Sequence, residues 1–137
     1  MKLPLALAAV LPLVGLPAAA MAGASYSGSW PLTVTHSQHA DGTYCLTLTD
    51  NGSVSFPHSG QASLRIGGEN LPYGTFQLID RTLVATIQSE GDSGQNAGLV
   101  FAAHAADGTI GNGFFDEVYG GEEFESGAVT FGAKGGC

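Results

Sequence analysis

A chain of 137 residues has room for one domain and no more. Its 12 acidic side chains against 4 lysines and arginines give a formal net charge of −8. So few scattered cations cannot neutralise a run of phosphates, which excludes nucleic acid and anionic lipid as partners.

The first stretch, 1–22, reads as a cleaved signal peptide. Lys2 is a minimal positive start, Leu3 to Leu16 is apolar apart from Pro4, Pro12 and Gly15, and Ala20-Met21-Ala22 fits the small-residue cleavage pattern. The run is too short and too proline-interrupted to make a stable membrane anchor. Export to the periplasm or the medium is therefore expected, with residues 23–137 as a single domain. Cys45 and Cys137 are the only cysteines. In an oxidising compartment they are expected to form one disulfide.

Beyond Gly23 no helical period is visible. Short runs alternate apolar and polar residues between Gly, Asn and Asp clusters, as in antiparallel strands with one buried face. The run 30–36 turns Trp30, Leu32, Val34 and His36 one way. The run 43–49 turns Tyr44, Leu46 and Leu48 one way, with Cys45, Thr47 and Thr49 opposite. After Asp50-Asn51-Gly52 comes 53–57. A three-residue loop with left-handed Gly52 would set Leu48 opposite Val54 and Leu46 opposite Phe56. The run 62–66 offers Ala62, Leu64 and Ile66 inward. The runs 73–79 and 82–88 form a hairpin at Asp80-Arg81, matching Leu78 with Leu83 and Phe76 with Ala85. The runs 97–105 and 109–115 turn at Asp107-Gly108, which aligns Phe101 with Phe114 and Ala105 with Ile110 and leaves His104 outside. The run 128–133 closes the series with Val129, Phe131 and Ala133 inward. Two longer loops are expected, at 89–96 and at the acidic 116–127.

Eight or nine such strands make an all-β antiparallel meander, either a sandwich or an up-and-down barrel. A closed barrel is preferred because closure removes exposed strand edges. A membrane barrel fits poorly, since the outward faces carry Thr, Ser, Gln and Arg.

Gly28-x-Trp30 at the first strand resembles the start of lipocalin and avidin barrels. It is also similar to small secreted bacterial metalloprotease inhibitors, which join such a start to a cysteine in an early strand. The resemblance covers strand one and Cys45 and implies a barrel with a binding role.

Among residues that could carry chemistry, His36 and His39 stand first. Two imidazoles and a carboxylate can hold zinc. Their place at a strand end and in a turn reads instead as a hairpin, with Asp41-Gly42 serving the turn, so neither a metal nor a cofactor is expected. Asp116, Glu117, Glu122, Glu123 and Glu125 match no calcium loop and read as solvated carboxylates. No nucleophile elbow is present. The inward phase of the strands makes Trp30, His36, Tyr44, Phe76, Phe101, Asn112 and Phe114 the candidate lining of a ligand site.

The reading is a secreted, non-catalytic binding barrel whose partner is a small molecule or another secreted protein. An inhibitor of a secreted protease is the second reading. A small enzyme or metal protein using His36 and the acidic 116–125 stretch is the third. Exported protein is expected to begin at Gly23 or within a few residues of it; N-terminal sequencing that returns Met1 would remove the signal-peptide reading.

Overall fold

The computed structural model describes residues 25–53, 55, 57–90, 96–119 and 122–137. The segment 1–22, expected to be a signal peptide, thus lies outside the described residues, as do 91–95 of the loop expected at 89–96. Among the described residues there are eight strands: β1 (Gly28–Thr35), β2 (Gly42–Asp50), β3 (Ser59–Ile66), β4 (Glu69–Ile79), β5 (Thr82–Glu90), β6 (Asn96–Ala106), β7 (Thr109–Tyr119) and β8 (Glu122–Phe131). Each pairs antiparallel with the next, and β8 returns to β1, closing a barrel. Along the closing seam Leu32 faces Phe131, Val34 faces Val129 and Thr35 faces Ala128. No helix among the described residues is long and apolar enough to cross a membrane.

Alternation explains the strands. In β1 Trp30, Leu32 and Val34 are buried while Thr33 and Thr35 are exposed. The same phase buries Leu46 and Leu48, Ala62 and Leu64, Leu83, Ala85 and Ile87, and Leu99, Phe101 and Ala103. Each fully buried Leu or Ile contributes about 1.5–3 kcal/mol. An eight-stranded barrel is just wide enough for such side chains to fill it, or to hold one small ligand.

The hairpin at Asp80-Arg81 has the expected register, Leu78 opposite Leu83 and Phe76 opposite Ala85. Asp107 and Gly108 both have positive φ, 53° and 76°, matching the right-handed twist of the strands they join. Next to that turn Ala105 faces Ile110 as expected, and His104 is exposed.

Several expectations are corrected. Leu48 pairs with Ala62 and Leu46 with Leu64, so β2 meets β3 and not the run 53–57; Val54 and Phe56 of that run lie outside the described residues. The reason is local. Asp50 Oδ1 accepts Gly52 N–H at 2.8 Å and Asn51 Oδ1 accepts Ser53 N–H at 2.7 Å. These successive side-chain turns lead the chain away from β2 before a tight hairpin can form.

Phe101 faces Phe115, not Phe114. Ala103 pairs with Gly113 and Ala105 with Ile110, so Gly111 and Asn112 together stand opposite His104. This bulge flips the phase of β7. Phe115 is 3% exposed and Phe114 51%. Glycine at 113 is required here, since a Cβ would lie 1.9 Å from the Ala102 carbonyl oxygen.

The acidic stretch 116–127 is not a loop. β7 runs to Tyr119 and β8 begins at Glu122. β8 ends at Phe131, and Ala133 is exposed.

One end of the barrel is packed shut. Trp30 Nε1–H donates to the Tyr26 carbonyl at 2.9 Å, and the buried Tyr26 ring meets His58 edge-on at 5.4 Å. The tail crosses outside β1: Gly132 N–H donates to Pro31 O and Gly135 N–H to Ser29 O, both at 2.7 Å. It ends in the expected disulfide, Cys45–Cys137, with Cα atoms 5.9 Å apart. Cys45 points away from the core yet is buried, because the tail lies over it. The bond joins residues 92 apart in sequence. Replacing both cysteines with serine is expected to cost about 2–5 kcal/mol, read as a lower denaturant midpoint for unfolding.

Candidate functional site

The end opposite Trp30 holds a cavity of about 300 Å³. This is near the small limit of ligand sites, roughly 300–1,000 Å³. Alternation alone places its floor: Val34, Leu64, Leu99, Phe101 and Phe115 point inward from β1, β3, β6 and β7. Phe101 and Phe115 pack with ring centroids 5.4 Å apart and planes tilted by 35°.

The rim is polar and acidic. Glu117 on β7 and Glu125 on β8 are cross-strand partners and both line the cavity, joined there by Glu69, Ser89, Tyr44 and His39. Glu125 is only 5% exposed. Its Oε2 accepts the His39 backbone N–H at 2.9 Å and lies 3.4 Å from His39 Nδ1. Burial, and then the charge of Glu125, pushes the Glu117 carboxyl above the usual carboxylate range. Burial does the same to the Tyr44 hydroxyl, reinforced by Glu125, Asp41 and Glu117. That hydroxyl donates to the Ala40 carbonyl.

The segment holding His36, His39 and Asp41 is a connection from β1 to β2, as expected. Asp41 Oδ1 accepts the Ser37 backbone N–H at 2.8 Å and the Ser37 hydroxyl at 2.9 Å. These bonds hold the Asp41 carboxyl below the usual range. Among the described residues no group of three or more His, Cys, Asp and Glu is placed to hold a metal ion.

Of the candidate ligand-lining residues, the cavity gathers Tyr44 and Phe101, and with them His39, Glu117 and Glu125, which the sequence offers as candidate metal ligands. Trp30 and Phe76 point inward but belong to the packed core away from it. His36 does not continue the Trp30 face. β1 stops at Thr35, and His36 has φ 63° and is exposed, its Nδ1 3.0 Å from Thr35 Oγ1. Asn112 is exposed within the bulge, and Phe114 faces outward.

The inward pair Glu117 and Glu125 was hidden by reading their stretch as a loop. A signal was present, because Val129, Gly127 and Glu125 keep one strand phase. Compared with protein-family models, with curated proteins and with solved structures, the chain has no match. The closed eight-strand meander is compatible with a lipocalin-like fold.

Because the Glu117 carboxyl holds its proton to higher pH when folded, its folded pKa lies above the ordinary carboxylate value. The folded state therefore loses stability as pH rises from the unfolded value through the folded one, and the full penalty persists above it. Glu117→Gln is expected to raise the melting temperature at about pH 8 and to leave it unchanged at about pH 4, measured by thermal unfolding.

Proposed function

We propose that this protein is an exported, non-catalytic carrier that binds one small molecule in the open end of its barrel. The observation that carries the reading is the contrast between the two ends. Trp30 and Tyr26 fill the barrel interior at one end, leaving only a depression of about 360 Å³ walled largely by turn residues such as Asp80, Arg81 and Asp107, while the other end keeps a cavity of about 300 Å³ that reaches an apolar floor of core residues and has a few convergent polar groups. Small-molecule sites have this composition and occur in the mouths of barrels. The disulfide suits an oxidising location, which supports export through the 1–22 segment. The lipocalin-like architecture, joined to Gly28-x-Trp30, supports the same role.

The inhibitor reading draws less support. Residues 25–27 lie against the barrel: Ser27 Oγ accepts Asp50 N–H at 2.9 Å, and Lys134 Nζ donates to Ser25 O at 3.0 Å. Among the described residues that segment offers no free arm. The enzyme reading through His36 loses its imidazole, which is outside the cavity.

The neutral fluorescent probe prodan is expected to bind saturably, one per chain, with a blue-shifted emission. Ala40→Trp, at the half-buried rim, should abolish that signal, whereas Gln61→Trp on the outer wall should not. Absence of saturable binding, or binding indifferent to Ala40→Trp, would refute the carrier reading.

A further inference from the structure

We propose that the occupant of this cavity carries a protonated aliphatic nitrogen, seated between the Glu117 and Glu125 carboxylates with its apolar body on Phe101 and Phe115; this rests on the reading of the cavity as a ligand site. Directly opposed like charges destabilise a sheet. Here they are also withdrawn from water, Glu125 almost completely. A carrier of neutral molecules gains nothing from such a pair.

Among the described residues no lysine or arginine neutralises it. Arg65 sits on the outer face of β3 between Cys45 and Asn70. Arg81 lies in the turn at the closed end, and Lys134 Nζ is bound to Ser25 O there. None of the three lines the cavity. His39 serves Glu125, through its backbone N–H and its ring. Among the described residues Glu117 has no hydrogen-bond or ion-pair partner.

An alkylammonium fits what remains. Its three N–H donors match two carboxylates, as charge-assisted bonds in a partly dry site. The aromatic rings below add cation–π attraction. The floor of Val34, Leu64 and Leu99 asks for hydrocarbon behind the charge, which distinguishes an organic amine from a bare metal ion. The long-range field agrees, because a protein of net charge −8 draws cations toward it.

The test compares phenethylamine with phenethyl alcohol, which share shape and differ in the charged nitrogen. Each is titrated calorimetrically into the full-length exported protein at neutral pH, with prodan binding followed in parallel. The amine is expected to bind at least about tenfold more tightly than the alcohol, a preference of about 1.4 kcal/mol. Glu117→Gln and Glu125→Gln should each reduce the preference, and the double variant should erase it while prodan still binds. Glu125→Gln keeps an oxygen acceptor for His39 N–H, and circular dichroism checks that each variant is folded. Equal affinities for amine and alcohol, with prodan bound, would overturn the ammonium assignment and leave the carrier reading standing. Loss of all binding, prodan included, would overturn both.

Discussion

The pairing of β8 with β1 is the constraint on which the rest depends. Every other pairing joins strands that follow one another in sequence, whereas Leu32 and Phe131 come from the two ends of the barrel. Such a contact brings its reward only after a long loop has been closed. The tail reinforces the seam by hydrogen bonding over Pro31 and Ser29 and then crossing to Cys45 on β2. Its glycines make the crossing feasible, since a Cβ on Gly132 or Gly136 would come within 2.9 Å of the Pro31 ring. Without the seam there is no enclosed interior, and Thr33 and Thr35 would mark a bare edge.

Closure also explains why one end can be full and the other not. The strand phase that brings Trp30 inward near the start of β1 meets Tyr26 from the segment before it, and the indole N–H is satisfied without water. At the far end the cavity is lined by Glu117, Glu125 and Tyr44 beside Ile66 and Leu71, with the largely exposed His39 at the rim bonded to Glu125. Long polar side chains can reach toward solvent and leave space below them, which a ring of leucines would have filled.

Much of this was legible from residue order. Alternation in 43–49, 62–66 and 82–88 predicts the right inward faces, and Asp80-Arg81 and Asp107-Gly108 predict their turns. Two cysteines behind a stretch that reads as a signal peptide were enough to expect the disulfide. Legibility failed where a local event changed the phase. The side-chain turns at Asp50 and Asn51 compete with a hairpin by small margins. The bulge at Gly111-Asn112 offers only a glycine as a signal. Glu117 and Glu125 were misread because charge in a run suggests water, while in a strand charge every second residue can face inward. His36 was misread for the opposite reason, as a continuation of a face that the backbone leaves at φ 63°.

That bulge links the architecture of the wall to the chemistry of the cavity. From Gly113 onward, each side chain of β7 faces where it does because Gly111 and Asn112 share one opposing residue. Loss of a single residue in a long surface connection would be absorbed by the loop. The same loss at this position would turn the strand over, presenting Phe114 and Asp116 inside in place of Phe115 and Glu117. The lining of the cavity stays tied to this irregularity in the backbone ladder, so that chain length at this point decides which β7 side chains face inward.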